Sequence, residues 1–287
     1  MAQVKIAGIL RAGAFSPNHI GNDAAILNMV AEQLRKRSCE VNLYSEEQFL
    51  SGAVSERIIL NMCRERESYQ RLQQLEDQGA LVINSGYGVE NCVRERLTRI
   101  MLSRSIPYPD SLIVDTDEVV LSKLAAANIS ACWIKRGESH TKHHEDVTYA
   151  RHPQEAQEML QEFFLRGIKR AVINRHQPGD LVKFYGVTGT PFFYWFYPFD
   201  SAHSKYGKEA INGPSQGLKF DVESLKADCA KAADILDVQV YGGDCIVAED
   251  GSYKIIDFND WPSFAPCRAE AAVVIARMVM KQVKSRL

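Results

Sequence analysis

Short apolar runs alternate with helical patterns along the first 85 residues of the chain. The runs have the length and apolar character of buried strands, and they read "VKIAGIL", "EVNLY" and "ALVINS". Apolar residues at helical spacing occupy residues 23–37, and a charged helix ending near Gln78 precedes the third run. Strands that alternate with helices are typical of a parallel sheet covered by helices. We therefore predict an α/β fold with a Rossmann-like domain in residues 1–85, without the GxGxxG loop of a dinucleotide site.

The pattern beyond residue 85 indicates two further units. Residues 86–175 are predicted to form a helix over "ENCVRERLTRIMLSR", a punctuated entry over "SIPYPDSLIV", a short helix over 117–127, the strand "ISACWIKR", a polar loop that leads to "VTYA", a helix over "PQEAQEMLQEFFLRG" and the strand "KRAVINRH". Residues 176–287 are predicted to form the hairpin "DLVKFYGV" and "TPFFYWFY", a helix over 222–236, the hairpin "VQVYGGDCIV" and "YKIIDFN", and a closing helix from Arg268. We predict domain boundaries near residues 85 and 175.

Charge and apolar content exclude several classes of protein. The 287 residues carry 34 Lys and Arg and 36 Asp and Glu, so the net charge of −2 gives no signal for nucleic-acid binding. We see no apolar run near the roughly 18–20 residues of a membrane span, and no signal-peptide layout at the start of the sequence. Seven cysteines without CxxC spacing predict reduced core thiols. These features favour a cytoplasmic protein that binds neither nucleic acid nor a membrane.

Polar side chains interrupt the apolar strand "YKIIDFN". Asp257 and Asn259 are two residues apart, so they lie on one face of a strand. The preceding strand carries Asp244, and the turn "EDGS" makes the two strands neighbours. A few hard oxygen ligands suit Mg²⁺, with Mn²⁺ as an alternative. Two carboxylates this close repel one another without metal, so Asp257→Asn and Asn259→Ala are expected to abolish turnover and to leave the fold intact or slightly stabilised. The other interpretation, that Asp257 and Asn259 merely end a strand, stays open.

Basic residues on the preceding strands are candidate phosphate ligands. Lys135 ends the apolar strand "CWIKR" before a polar loop, where it could neutralise a nucleotide phosphate or, as is commoner, reach water from a sheet edge. The segment "VINRHQPGDLVKFYGV" leaves an apolar strand and returns in a strand that carries Lys183. Its backbone could contact an adenine edge, with Asp180 near a ribose.

In this order, these segments resemble the ATP-grasp superfamily, and the resemblance spans most of the chain. It implies an ATP-grasp fold with a Rossmann-like N-terminal domain. It also implies that Lys135 contacts phosphate and that Arg94 stands where the family usually has its first phosphate-contacting lysine. The segment "VINRH" matches the hinge that binds adenine and places Asn174, Arg175 and His176 around the base. Asp244, Asp257 and Asn259 match the set that holds magnesium.

Two branches of the family compete for the reaction. Carboxylate–amine ligases such as glutathione synthetase dominate the superfamily, but many of them have glutamate at the position of Asp257. Peptide ligases often carry an arginine where this chain has Gly242. The wording "DFNDWPSF" and Lys183 after "NRH" resemble the inositol polyphosphate kinases. The family's phosphate loop is often rich in glycine, whereas "RGESHTKHHEDV" has His140, His143 and His144, which could bind a metal or an anion or could belong to a solvated lid.

The loop after the first strand should face the nucleotide, because ligands bind beyond the carboxyl ends of parallel strands. Candidate substrate residues are therefore Arg11, Ser16, Asn18 and His19, although an ordinary polar loop explains them equally well. Arg268 could clamp an anionic substrate or merely begin the last helix. The segment 201–217, with Lys205 and Lys208, could be a lid or a surface loop.

These features predict an ATP- and magnesium-dependent ligase that activates a carboxylate for attack by an amine or thiol and releases ADP. The alternative is a kinase that phosphorylates the hydroxyl of a small molecule. A non-catalytic ATP-binding protein is a third reading, against which the metal residues argue. The expected partner is an anionic small molecule, and a homodimer stays open as the assembly.

Overall fold

A computed structural model describes residues 3–15, 20–138, 146–198 and 211–286. The strands in these ranges are β1 (Lys5–Ile9), β2 (Glu40–Tyr44), β3 (Ile58–Asn61), β4 (Leu81–Ile83), β5 (Ser111–Asp115), β6 (Cys132–Arg136), β7 (Val147–Ala150), β8 (Arg170–Arg175), β9 (Asp180–Val187), β10 (Phe193–Phe196), β11 (Val240–Val247) and β12 (Tyr253–Asp260). The α-helices are α1 (Ile20–Arg35), α2 (Glu46–Leu50), α3 (Arg66–Asp77), α4 (Gly86–Asn91), α5 (Arg94–Ser103), α6 (Leu121–Ala126), α7 (Pro153–Leu165), α8 (Val222–Leu236) and α9 (Arg268–Lys284).

The first sheet is parallel and has the order β2-β1-β3-β4. Its core includes buried residues of β1, α1 and α9, so the last helix of the chain packs on the first domain. The predicted Rossmann-like sheet is confirmed. Two elements in this part of the chain, the strand β3 and the helix α2, were not predicted. A four-residue strand and a five-residue helix are too short to show a periodicity.

The second sheet is antiparallel and has the order β5-β8-β6-β7. One of its faces packs against α6 and α7 around buried residues such as Leu124, Leu160 and Phe163. The single helix predicted over residues 90–104 is wrong: α4 ends at Asn91, and α5 starts at Arg94 after Val93 takes an extended conformation. This break sets the direction in which α5 leaves, and it presents Arg94 at the start of a new helix.

The third sheet is antiparallel and has the order β10-β9-β11-β12. Both predicted hairpins are present, β9 with β10 and β11 with β12. Helix α8 covers one face, where Phe184, Cys229 and Phe258 are among the buried residues. Gly243 lies in β11 where a Cβ atom would come within 2.2 Å of the Asp257 carbonyl oxygen, so the close approach of the two strands requires glycine.

Two buried asparagines connect the first sheet to the third. Asn84, after β4, donates from Nδ2 to the Val240 carbonyl at 2.7 Å and accepts at Oδ1 from the N–H groups of Gln239 and Val240 at 2.9 and 2.7 Å. Asn61, at the end of β3, donates to the Asn84 carbonyl. The start of β11 is thus fixed to the carboxyl edge of the parallel sheet.

The three sheets lie in successive stretches of sequence, with their strands within residues 5–83, 111–175 and 180–260. The predicted domain boundaries at residues 85 and 175 fall between these stretches and stay predictions. All seven cysteines are buried with free thiols, as predicted. Within the described ranges, no helix combines the length and apolar character needed to cross a membrane.

Candidate functional site

A row of charged side chains crosses the third sheet. Lys183 on β9, Asp244 on β11 and Asp257 on β12 are directly paired across the strands, so they project from the same face. We call these three residues the charged row. Asn259 lies two residues after Asp257 on that face, and its Nδ2 donates to Asp257 Oδ2 at 3.0 Å. The predicted convergence of Asp244, Asp257 and Asn259 at one point is present in the structure, although whether they bind metal stays a prediction.

Asp257 is an ionised carboxylate with a strong ion pair. Arg94 Nη1 lies 2.9 Å from its Oδ1. Burial alone would raise the pKa of Asp257, but Arg94, Lys135 and the hydrogen bond from Asn259 together hold it well below its usual range. This arrangement argues against a stabilising effect of removing Asp257, and the effect itself stays a prediction. Nearby cations already compensate the charge, and the substitution would leave them without a partner.

Asp244 has a cation of its own. Lys183 Nζ lies 3.2 Å from Asp244 Oδ1, with the two side chains 13% and 29% exposed. The two carboxylates of the charged row are thus each paired with a basic residue, Asp244 with Lys183 and Asp257 with Arg94. Arg94 therefore balances the net charge of −1 that the row carries, and the carboxylates of the row can still be reached by solvent.

Lys135 reaches the site from the second sheet. It is 7% exposed and donates from Nζ to the Ile256 carbonyl on β12 at 3.0 Å. Burial, with a further contribution from Arg94, lowers the pKa of the Lys135 ammonium to about 7, against the opposing effect of Asp257 and Asp244. A lysine that extends into water from a sheet edge would be exposed, so that reading of Lys135 is wrong.

The segment predicted to bind adenine forms the end of β8, and its side chains have partners within the protein. Asn174 Nδ2 donates to Ser111 Oγ at 2.7 Å, Arg175 Nη2 donates to the Ala127 carbonyl at 2.7 Å, and His176 Nδ1 accepts from Trp133 Nε1 at 3.2 Å. Burial lowers the pKa of His176.

The backbone of this segment is also engaged. The N–H groups of Arg175 and His176 donate to the carbonyls of Asp110 and Ala131, both at 2.9 Å. These contacts do not support an adenine contact through those two N–H groups. The role of Asn174, Arg175 and His176 around a base stays a prediction.

The carboxylate of Asp180 is hydrogen-bonded to backbone N–H groups. Its carboxylate, 3% exposed, accepts from the N–H groups of Gln216 and Leu218 at 2.8 Å. These bonds fix the segment that leads into α8 against the start of β9. They do not support a ribose contact, which stays a prediction for Asp180.

Two predicted substrate residues lie in the described ranges. The side chain of Arg11 is 5% exposed; it pairs with Asp23 at 2.9 Å and donates to the Trp261 carbonyl at 2.8 Å, so it connects the loop after β1 to the end of β12. Arg268 donates from Nε to the Ser263 carbonyl at 3.2 Å. Residues outside the described ranges are Ser16, Asn18, His19, His140, His143, His144, Lys205 and Lys208.

Tyr185 and Arg64 border the site and were not predicted. Tyr185 lies on the face of the charged row, two residues after Lys183, and its ring fills the space above Gly242, where a Cβ atom would come within 2.7 Å of the ring. An arginine at position 242 would displace that ring. Arg64, after β3, lies 3.4 Å from Asp260, and its charge contributes to the low pKa of Asp257. The alternation of β9 could have indicated Tyr185, whereas no local signal marks Arg64.

The donor set fits magnesium better than a transition metal. Across the described ranges, no group of three or more His, Cys, Asp or Glu side chains is arranged to hold a metal ion. The ligands that the chain offers are two carboxylates and the Asn259 carboxamide oxygen, which is a small, hard set. Mg²⁺ is commonly bound through one or two carboxylates, with water and substrate phosphates completing its shell.

Comparisons with known proteins identify the fold. No protein-family model and no curated protein sequence matches the chain. Among solved structures, D-alanine–D-alanine ligase from Bacillus anthracis in complex with ATP superposes with a TM-score of 0.69 at 14% identity and covers 100% of both chains. A RimK domain ATP-grasp protein from Sphaerobacter thermophilus has a TM-score of 0.69 at 13% identity and covers 96% of this chain and 98% of its own.

A third similar structure is the D-cycloserine synthetase DcsG, with a TM-score of 0.63 at 13% identity and coverage of 96% of this chain and 99% of its own. Sequence identities this low establish the fold alone. The fold predicted from the sequence is confirmed: the chain has the ATP-grasp fold over essentially its whole length.

Proposed function

We propose that this ATP-grasp chain is an ATP- and magnesium-dependent ligase that joins a carboxylate to an amine or thiol. The observation that carries the proposal is the convergence of Arg94, Lys135, Asp257 and Asn259, which come from three separate elements, on one point. The similar structures support it, because one of them is a ligase in complex with ATP and another is a synthetase.

The residues of the site have separable tasks in this proposal. Asp244, Asp257 and the Asn259 carboxamide would hold Mg²⁺, which when bound supplies a Lewis acid to the β- and γ-phosphates. Lys135 and Arg94 would hold the phosphates as fixed positive charge in a buried setting, where such preorganised charge is most effective. Arg94, which donates to Asp257 at 2.9 Å, is within reach of a phosphate held beside that carboxylate and could donate to it.

The reaction would proceed in two steps, phosphoryl transfer to the carboxylate and then acyl transfer to the amine or thiol. A carboxylate oxygen of the acceptor attacks the γ-phosphorus, the bond from that phosphorus to the bridging oxygen of ADP breaks, and ADP leaves with the electron pair. The amine or thiol then attacks the acyl carbon, phosphate leaves, and the nucleophile loses a proton. The site's cations stabilise the negative charge that accumulates on the leaving ADP.

A product analysis tests this proposal. The protein is incubated with Mg²⁺, ATP and pools of acids and amines, and nucleotides are separated by chromatography. We expect ADP and phosphate, formed only when an acid and an amine or thiol are both present. AMP with pyrophosphate would contradict the mechanism, and an Asp257→Asn variant with undiminished ADP release would contradict the assignment of the site.

A kinase is the second candidate. It is favoured by Gly242, since the space above it is filled by Tyr185 and Pro262 and leaves no room for the arginine often found in peptide ligases. The same chromatography separates the two candidates. A kinase would release ADP with one hydroxyl-bearing acceptor alone and would yield a stable phosphorylated product.

A further inference from the structure

Three aromatic side chains extend the charged row toward the edge of the third sheet. Phe196 pairs with Lys183, and Tyr194 pairs with Tyr185, so all of them project from the face of the charged row. The ring of Tyr185 lies 6.5 Å from that of Tyr194 and 6.3 Å from that of Phe196, both in stacked orientation. We call Tyr185, Tyr194 and Phe196 the aromatic shelf.

The shelf begins where the charged row ends. Neighbouring strands are about 4.8 Å apart, so the side chains on β10 lie about 10 Å from Asp244 on β11. An acid of two or three carbons that presents its carboxylate at the row is too short to contact β10. A ring attached to the carboxylate by one or two carbons spans this distance.

The shelf is partly open to solvent, in contrast to the aromatic residues on the reverse face. All three shelf residues are half-buried, whereas Phe184 and Phe258 on the other side of the same strands are 0% and 1% exposed against α8. Tyr185 and Tyr194 also pack against the core that contains Phe264, with the ring centroids of Tyr185 and Phe264 5.1 Å apart. The part of these half-buried rings that faces solvent is the surface on which a planar group can stack.

A cation lies next to the shelf on its own strand. Lys183 occupies the preceding position on the same face of β9 as Tyr185. The charge of Arg268 also acts on Tyr185: burial raises the pKa of the Tyr185 hydroxyl, Asp244 raises it further, and Arg268 lowers it. This positive charge favours an anion that carries a ring.

We propose that the aromatic shelf binds the acceptor substrate, and that this substrate is a carboxylic acid carrying a planar ring. The carboxylate would lie at the charged row, and the ring would stack on Tyr185, Tyr194 and Phe196. This inference rests on the proposed ligase function, and it narrows the substrate to aromatic or similarly planar acids.

Binding of small acids tests the shelf without turnover. The full chain is saturated with Mg²⁺ and the non-hydrolysable analogue β,γ-methylene ATP, and ligand-observed NMR titrations give the Kd of 3-phenylpropionate and of propionate. We expect 3-phenylpropionate to bind at least about tenfold more tightly. Equal affinities, or no binding of either acid, would overturn the proposal.

Substitutions at Tyr194 test whether 3-phenylpropionate binds at the aromatic shelf. Tyr194→Ala should weaken 3-phenylpropionate about tenfold while the affinities for propionate and for the nucleotide analogue stay unchanged. Tyr194→Leu, which keeps apolar bulk without a planar face, should show a similar loss and serves if the alanine variant does not fold. Phe164→Ala, at an aromatic residue 47% exposed on α7, is the matched control and should bind as the parent does. Unchanged affinity in a folded Tyr194 variant would overturn the shelf.

The same titration separates the two proposals. Failure of the parent protein to bind the magnesium–nucleotide analogue would contradict the proposed function. Normal nucleotide binding without discrimination between the two acids would contradict the shelf alone.

Discussion

The Lys135 ammonium is buried beside two carboxylates and one guanidinium, and its pKa of about 7 makes its charge depend on what binds next to it. An isolated lysine stays charged to about pH 10, but burial and Arg94 disfavour the charged form of Lys135 by more than Asp257 and Asp244 favour it. Phosphate oxygens would add further negative charge beside the ammonium. Nucleotide binding at slightly alkaline pH should therefore protonate Lys135.

Proton uptake measures this coupling. At pH 8 a lysine with a pKa of about 7 is mostly neutral, so binding of Mg–ATP should take up about 0.9 proton. Calorimetry in buffers of different ionisation enthalpy gives that number. Lys135→Arg keeps a charge that does not titrate and should abolish the uptake. Uptake that persists in Lys135→Arg would assign the proton to another group.

Lys135→Ala should weaken Mg–ATP binding while the protein stays folded.

Asp257 is expected to stabilise the metal-free protein rather than strain it. Its folded pKa is depressed, so its stabilising effect is present above its unfolded pKa of about 4 and is lost as pH falls through the folded pKa. Asp257→Asn should lower the free energy of unfolding at pH 7 by about 1–3 kcal/mol, less than for a fully buried pair because the side chain is 26% exposed.

Denaturant titrations from pH 7 to pH 3 give the measurement, and the difference between parent and variant should narrow below about pH 4. The same variant should lose turnover. Asp250→Asn, in the turn of the same hairpin, is the matched control for both readouts. A more stable Asp257→Asn protein would restore the view that the two carboxylates repel each other.

At the level of single residues, the sequence indicates partners only where they are local. Asp257 and Asn259 are two apart on one strand and Asp244 is across a tight hairpin, so the alternation of side chains and the turn suffice to place them together. The ion pair between Arg94 and Asp257 joins residues 163 positions apart. Its partners depend on the tertiary packing, which no periodicity encodes.

At the level of elements, the start of β11 depends on one side chain from another sheet. Asn84 is fully buried and makes three hydrogen bonds to the backbone of Gln239 and Val240. Two residues beyond Val240 the strand reaches Gly242, and Asp244 follows. Asn84 therefore fixes the register of the strand that supplies the first carboxylate.

Asn84→Ala should leave the backbone N–H groups of Gln239 and Val240 without this acceptor, while the Val240 carbonyl keeps the bond from the Trp261 N–H. We expect a loss of about 3–5 kcal/mol in the free energy of unfolding, measured by denaturant titration. Asn91→Ala removes the bond to the Leu236 carbonyl and an exposed bond from Arg96 Nε to Asn91 Oδ1, and it should lose about 1 kcal/mol. Equal losses in the two variants would show that the hydrogen bonds of Asn84 contribute no more to the free energy of unfolding than those of Asn91.

The elements that the sequence predicted are those with a strong period or a clear turn. Both hairpins of the third sheet, α8 and the parallel order of the first sheet have these signals. The break between α4 and α5 has none, because neither glycine nor proline separates Asn91 from Arg94. Val93 leaves the helical conformation between α4, which follows the first sheet, and α5, which precedes the second, and this is a tertiary effect.

Across the whole molecule, three sheets contribute to one site. The second sheet provides Lys135, and the third provides the charged row, while α5 brings Arg94 between them. The first sheet fixes the third through Asn84. A ligand held by Lys135 and by Asp257 together would bridge the second and third sheets, so its binding should stabilise the molecule as a unit.

Thermal unfolding should report this bridging as a joint effect of metal and nucleotide. Mg²⁺ alone has to displace Arg94 and Lys183 from carboxylates that they already neutralise, so it should raise Tm little. Mg²⁺ with ATP at 100 times its Kd should add about 2.7 kcal/mol, or roughly 5 °C in Tm, because phosphates accept the displaced cations. Asn259→Ala should lose most of that shift, and Asn91→Ala should keep it. A full shift with Mg²⁺ alone would mean that the charged row binds metal without help from phosphates, contrary to the ion pairs that now occupy it.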